Sequence, residues 1–397
     1  MRNNRGAPHD AYFVELQRAL RDVRVAEPAM VLDLDRLDRN AERVRASLPA
    51  GCALRLVAKS LPSPELLAHL MGALGTRRQM VFHAPFIAPA LRAHAEVDVL
   101  LGKPLPVAAA ERVLDSLSDA ETRRVRWLVD DVDRLHGYLA LGARMGRTLR
   151  LAFELDVGLH RGGFGSMEAL DAALRLLSSR PTDGAFAGAL GYDAHLGKLP
   201  TALGLQRRAL RQSQRAFRAF REHIEAHLAP AARADAVWDG AGSPTFRLHG
   251  ADTPLDEVAI GSAFVKPLEF DVPSLADLEP AAFIAAPVLK ALDGLRIPQL
   301  EMLSTLVARV DPNLARTYFL YGGRWPAIPV SPAGLRGNRL FGESFNQAVL
   351  NGSRATHLAV DDTVFFRPLQ SESIMLQLGA PVVVRGGRVV ARWSVIG

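Results

Sequence analysis

The feature that most constrains this chain is an alternation. Short runs rich in β-branched and other apolar residues stand at 29–34, 54–58, 80–82, 97–101, 126–129, 149–155, 187–192, 237–239 and 258–261. Helical patterns lie between them at 36–48, 64–74, 89–94, 108–117, 132–145, 167–178 and 203–228. A helix between two strands acts as a crossover, so successive strands pair in parallel and the sheet is covered by helices. Eight such units close a (β/α)₈ barrel of about 250 residues. Nine candidate strands are one too many, and the first is expected to belong elsewhere.

After about residue 270 helical periodicity fades. Proline, glycine and β-branched residues rise, as in Tyr321-Gly322-Gly323-Arg324-Trp325-Pro326 and Pro329-Val330-Ser331-Pro332. Residues 363–366, 373–378, 381–384 and 388–393 read as strands of hairpins, the last two flanking Gly386-Gly387. The expected fold is α/β, a (β/α)₈ TIM-type barrel with a C-terminal mainly-β domain. Its expected division is an N-terminal segment 1–27 packing on the β domain, a barrel at 28–270, and the β domain at 271–397.

Composition narrows the function classes. Of 397 residues, 49% are apolar and 23% charged, as in globular proteins, which excludes a disordered chain. No window reaches the roughly 18 apolar residues of a membrane span, and the apolar run 281–289 is short and interrupted by Pro287. The opening Met1-Arg2-Asn3-Asn4-Arg5-Gly6 has no apolar stretch behind it, unlike a secretory signal. With a single cysteine, Cys52, no internal disulfide forms, and a reducing cytoplasm is the expected compartment. The net charge of +6 is carried mostly by arginines interleaved with acids, as at 35–43, which reads as surface solvation and not as a nucleic-acid face. The basic pattern at 203–228 places Arg207, Arg208, Arg211, Arg215, Arg218 and Arg221 opposite Leu205, Ala209, Phe217, Phe220, Ile224 and Leu228, as expected of an outer barrel helix.

Active sites of such barrels form at the C-terminal ends of the strands. Lys59 follows the run 54–58; a lysine there is costly to desolvate unless it is paired or chemically used, and a neutral amine condenses with an aldehyde. The run 149–155 leads into Asp156-Val157-Gly158-Leu159-His160-Arg161-Gly162-Gly163-Phe164, presenting Arg161 between glycines. The run 187–192 ends at Tyr192 and is followed by His195. The late runs end in Gly240-Ala241-Gly242-Ser243-Pro244-Thr245 and Gly261-Ser262, turns suited to phosphate because backbone N–H groups converge there. A lysine for an aldehyde and two loops for a phosphate fit pyridoxal 5′-phosphate. His83, past the run 80–82, is a further barrel-mouth group, more simply read as structural.

These residues carry a resemblance. The opening Glu27-Pro28-Ala29-Met30-Val31-Leu32-Asp33-Leu34-Asp35, Asn40, Lys59, the 156–164 loop, His195, the 240–246 loop and Gly261-Ser262 occur in the order found in the D-threonine aldolase and D-serine dehydratase group, relatives of alanine racemase of pyridoxal-phosphate fold type III. The resemblance spans about residues 27–271, with a counterpart of the terminal β domain at 361–393. It implies that Lys59 forms the Schiff base and moves protons at the substrate α-carbon. It further implies that Arg161 bonds the cofactor ring oxygen and that His195 lies against the ring with Tyr192 nearby. Gly242, Ser243, Gly261 and Ser262 would hold the phosphate. The implied substrate is a β-hydroxy D-amino acid, undergoing aldol cleavage or dehydration, in a homodimer. Racemisation is the alternative, with Tyr318 or Tyr321 as a second base; a non-catalytic carrier of the cofactor is another. Members of the group hold a divalent metal through a His-x-Cys or His-x-Asp pair. Here Gln370 and Glu372 stand at that position, a set able to hold Mg²⁺ or Mn²⁺ or to have lost the metal and to meet substrate directly.

Overall fold

In a computed structural model of the chain, residues 3–200, 204–294, 310–338, 341 and 344–396 are described. The chain forms two compact units. One comprises Ala41–Phe264, Val272–Asp277 and Ile396–Gly397; the other comprises Met1–Asn40, Val265–Asp271 and Leu278–Val395.

The first unit is a closed barrel of eight parallel strands. We number β1 as Ala29–Asp33, which lies outside it. The barrel then runs through β2 (Ala53–Val57), β3 (Arg78–Val81), β4 (Asp98–Leu101), β5 (Val125–Val129), β6 (Leu149–Glu154), β7 (Gly184–Gly191), β8 (Val237–Gly240) and β9 (Glu257–Ile260). Closure comes from β9 pairing with β2, Val258 opposite Leu54 and Ile260 opposite Leu56. Every residue of β5 is buried, as expected where side chains face either the barrel interior or a helix. The helices begin and end on local signals. Ser63 accepts a hydrogen bond from Leu66 N at the start of Pro64–Leu74, and Gly75 ends it in the left-handed conformation. Asp131 and Gly146 do the same for Val132–Met145, and Ser166 caps Met167–Ser178. The basic pattern forms helix Leu205–His227, burying Phe217, Phe220 and Ile224; its expected start at 203 lies outside the described residues.

The N-terminal half of the barrel interior holds charges. Arg55 is fully buried, bonded through Nε to Glu257 (2.6 Å) and through Nη2 to Asp98 (2.8 Å), with Nη1 on the Gln79 carbonyl (3.0 Å). Arg126 reaches Asp98 at 3.0 Å and the carbonyls of Ala187 and Asp235. Asp239 is also fully buried, 3.9 Å from Arg55 Nε.

The second unit is a nine-stranded sheet among the described residues. Its strands are β1, β10 (Ala282–Asp293), β11 (Arg316–Tyr321), β12 (Ala327–Ser331), β13 (Arg336–Gly337), β14 (Gln347–Gly352), β15 (Thr363–Pro368), β16 (Val382–Arg385) and β17 (Arg388–Arg392). Their order is β13-β14-β11-β10-β1-β16-β17, with β15 paired to β10 and β12 to β15. Helix Ala11–Asp22, capped by Asp10, presses Phe13, Leu16 and Leu20 onto Val31, Phe283, Phe365 and Val382.

One strand expectation fails. Residues 373–378 are not a hairpin strand but part of helix Ser371–Leu378, in which Ile374 and Met375 are buried. The apolar residues Ile374, Met375 and Leu378 follow a helical i, i+1, i+4 spacing, and strict alternation is missing.

Candidate active site

The site grows from the strand ends of the barrel. Beyond β2 the chain makes a single 3₁₀ turn, Ala58–Ser60, with Ala58 and Ser60 buried. Lys59 is half-buried on this turn, its Nζ 4.5 Å from the centroid of the Phe82 ring just past β3. Phe82 lies in turn against Gly102, past β4, where a Cβ would come within 2.2 Å of the ring. Three neighbouring strand ends thus set the lysine's position. His83 is exposed and precedes helix Ala84–Ala93, its ring edge-on to Phe86 at 5.5 Å.

The turns after β8 and β9 close on the same region. Ser243 Oγ accepts the backbone N–H of Gly261 at 3.2 Å and of Ala263 at 3.1 Å, so these two donors are committed to joining the turns. The Ser243 hydroxyl proton stays available to donate. Ser262 Oγ lies 3.1 Å from Ser60 Oγ, linking the β9 turn to the lysine turn. Gly242 packs under Tyr192: a Cβ there would fall 2.8 Å from Tyr192 Cε2.

Past β6, Asp156 organises its loop. Its carboxylate accepts Gly158 N (3.0 Å) and His160 N (2.9 Å), with His160 Nδ1 at 2.8 Å. Burial alone would raise this carboxyl, but the hydrogen bonds outweigh it and hold it below the usual range. Gly163, at φ +91°, lets the loop return, since a Cβ would meet the Glu154 carbonyl at 2.8 Å. Arg161 is exposed at the loop tip, its guanidinium 5.1 Å from the Tyr192 ring centroid. Burial, then the nearby Asp193, raises the Tyr192 phenol.

His195 sits on the turn after β7 with Nε2 3.5 Å from Ser213 Oγ. Its Nδ1 is buried and has no hydrogen-bond partner. An unpartnered buried ring nitrogen is costly and is the position where a bound polar group would relieve the deficit. Beside it, Asp193 is fully engaged, receiving Thr245 Oγ1 at 2.6 Å with His249 Nε2 at 2.8 Å. The structure therefore brings Lys59, Ser262, Gly261, Ser243, Gly242, Tyr192 and Arg161 into one chain of contacts around the barrel mouth, with His195 adjoining.

Sequence reasoning did not single out Phe82, Asp193, His249 or Glu154. Asp193 precedes His195 by two residues, so its strand-end position was the available signal. The contacts of Phe82 with Gly102 and of Asp193 with His249 link separate strands and leave no local trace. Glu154, the last residue of β6, is half-buried, and burial raises its carboxyl.

The remaining candidates lie in the sheet unit. Gln370 is exposed at the start of helix Ser371–Leu378 and donates its amide to Glu269 at 2.5 Å; Glu372, two residues on, is half-buried. These oxygen groups are a poor set for zinc compared with imidazole and thiolate, and Glu372 belongs to no group of three His, Cys, Asp or Glu ligands among the described residues. Tyr318 is buried with its hydroxyl 2.6 Å from Thr356 Oγ1, while Tyr321 is exposed. No described helix is long and apolar enough to cross a membrane.

Comparison with known proteins gives the family. Residues 32–267 match the model of the alanine racemase N-terminal domain. No curated protein matches the sequence. Among solved structures, D-threonine aldolase from Filomicrobium marinum is similar with a TM-score of 0.72 at 19% identity, covering 94% of this chain and 95% of that one. D-threo-3-hydroxyaspartate dehydratase from Delftia sp. HT23 has a TM-score of 0.72 at 18% identity, covering 94% and 98%. Alanine racemase from Bacillus anthracis has 0.69 at 14%, covering 93% and 98%. The chain belongs to the alanine racemase N-terminal domain family, the fold type III class of enzymes whose cofactor is pyridoxal phosphate.

Proposed function

We propose that this chain is a pyridoxal-phosphate lyase acting on a β-hydroxy D-amino acid, by aldol cleavage or dehydration. The observation that carries the cofactor half of this reading is the ring of contacts from Lys59 through Ser60, Ser262 and Ser243 to Tyr192 at the mouth of a closed barrel. Its substrate half draws support from the two similar structures named for D-threonine aldolase and D-threo-3-hydroxyaspartate dehydratase.

The residues fit the group. Lys59 would hold its aldehyde carbon, and the turns at Gly242–Ser243 and Gly261–Ser262 would hold its phosphate. Arg161 and the unpartnered Nδ1 of His195 would face its polar edge. When bound, the cofactor supplies an electron sink for charge developing at the substrate α-carbon. Lys59 Nζ would take and return a proton at that carbon. Tyr192 would wall the site, with Gly242 beneath it. His195, beside Ser213, is the candidate base for the β-hydroxyl proton. No step is assigned to a metal at Gln370 and Glu372. A homodimer and a cytoplasmic setting complete the proposal.

One observation weighs against racemisation. The Tyr318 hydroxyl is buried and bonded to Thr356, so it is a packing group. The test is direct: the cofactor-loaded protein is given D-threonine, D-serine and D-threo-3-hydroxyaspartate, with D- and L-alanine in parallel. Aldehyde or keto acid with ammonia from a D-β-hydroxy substrate supports the reading. Interconversion of the alanines without cleavage makes the protein a racemase, and a bound cofactor with no turnover of any substrate makes it a carrier.

A further inference from the structure

A second cluster of ligands lies on the outside of the barrel, on residues the proposed chemistry does not use. His223 and His227 stand four apart on helix Leu205–His227, which puts both imidazoles on one face. Asp171 projects from the neighbouring helix Met167–Ser178. Its Oδ1 lies 2.5 Å from His223 Nε2 and 3.3 Å from His227 Nε2, and one ligand atom from each of the three residues falls within 4.8 Å of the others. The two imidazole rings are 4.3 Å apart.

We propose that Asp171, His223 and His227 form a binding site for a divalent transition metal of the zinc class, stapling the two helices together. Two imidazoles and one carboxylate are a borderline-soft set that favours Zn²⁺, Co²⁺ or Ni²⁺ over Mg²⁺ or Ca²⁺. Three protein ligands leave a fourth position for water. Metal–ligand bonds of about 2.0–2.1 Å place tetrahedral donors about 3.3–3.4 Å apart. The His227–Asp171 pair already has that separation, and the His223–Asp171 pair needs to open by somewhat less than an ångström.

Two independent features point the same way. His227 Nδ1 lies 2.8 Å from the His223 carbonyl, so the ring donates there and Nε2, 3.3 Å from Asp171 Oδ1, is the nitrogen left to meet a metal. Such an outer hydrogen bond is what orients metal-bound histidines. His227 is also the last residue of its helix, where the negative end of the helix dipole favours a cation. The competing description is a plain ion pair of protonated histidines with Asp171, with Arg175 adding positive charge nearby. The site is independent of the barrel-mouth proposal.

The test uses tag-free full-length protein, loaded with pyridoxal phosphate, stripped of metal by chelator and titrated with Co²⁺. One Co²⁺ per chain with a visible d–d band, displaced by Zn²⁺, is expected. The band is expected to survive Glu372→Gln. In His227→Gln, a change at an exposed residue, binding is expected to weaken at least about 10–100-fold, the range known for the loss of a supporting partner alone. Asp171→Asn serves as a second variant, and circular dichroism verifies the fold of each. Absence of a band in folded wild type overturns the proposal. A band unchanged in both variants, or abolished by Glu372→Gln, overturns it as well.

Discussion

At one end of the barrel Arg55 is fully buried and every arm of its guanidinium meets a carboxylate or a carbonyl. At the other end Lys59 has an aromatic ring beside it and no carboxylate partner among the described residues, and His195 Nδ1 has no partner. Both ends carry basic groups, inside the closed sheet at the first and on the turns beyond its strands at the second. The N-terminal half pairs them with Asp98, Asp235 and Glu257, while both carboxylate oxygens of the neighbouring Asp239 are buried without a hydrogen-bond partner. The C-terminal mouth leaves its basic groups available, lined by glycines and hydroxyls. Charges satisfied by the protein stabilise or specify the fold, whereas charges left available mark the place where a ligand completes the set.

The comparison makes its largest prediction at the satisfied end. Arg55→Leu removes the nearest partner of Glu257 and one of the three arginines on Asp98, and sets a buried apolar side chain beside them. Removing one member of a buried ion network costs about 3–5 kcal/mol. Denaturant unfolding is expected to show that loss, while the fraction that stays folded still binds the cofactor. A loss of cofactor affinity as large as the loss of stability would erase the distinction between the two ends.

At the available end, Gly242→Ala is expected to act on binding first. Its Cβ would sit 2.8 Å from Tyr192 Cε2. Overpacking of this kind costs about 1–3 kcal/mol, and here the yielding group is a wall of the site. Cofactor affinity, followed by absorbance titration, is expected to fall about 5–150-fold, as that energy range implies. Unchanged affinity would show that Tyr192 is not part of the wall.

The pH dependence of stability sharpens the contrast within the charged layer. Burial would raise Asp98, but Arg55 and Arg126 outweigh it and hold its carboxyl at about 2. Its folded value is depressed, so its contribution is present above the ordinary carboxylate range and is lost as pH falls toward 2. Asp239 is raised, first by burial and then by Glu257 beside it. Its folded value is elevated, so its contribution is present below the ordinary carboxylate range and declines as pH rises. Melting temperature against pH is expected to lose its acid limb in Asp98→Asn and to flatten on the rising side in Asp239→Asn. Identical profiles for the two variants would contradict these opposite assignments.

The smallest effect is expected at Tyr318. Removing one partner of its buried bond to Thr356 in Tyr318→Phe costs about 1–3 kcal/mol of stability, with turnover of the preferred substrate unchanged. A large loss of turnover at constant stability would return Tyr318 to the list of acid–base groups and favour racemisation.

The legibility of this molecule in its sequence follows the same divide. Elements bounded by local chemistry were readable: Ser63 and Gly75, Asp131 and Gly146, and Ser166 mark helix ends within a few residues. The mouth residues were readable because each follows its own strand. The helix Ser371–Leu378 was misread because it sits in a region of strands and is only eight residues long. The interior charges were not readable, since Arg55, Arg126 and Asp239 in a short strand look the same as solvent-facing alternation until the barrel closes. The ligand set of Asp171 with His223 spans 52 positions and depends on which helices are neighbours.

Lys59 as the cofactor's attachment point is the central claim, and the chain is well suited to test it because it contains only five lysines. The protein is loaded with pyridoxal phosphate, reduced with borohydride, digested and mapped by mass spectrometry. The account predicts a single pyridoxyl label on Lys59, absent in Lys59→Ala together with the visible absorbance band. A label on Lys103, Lys198, Lys266 or Lys290, or no label on folded protein, would contradict it.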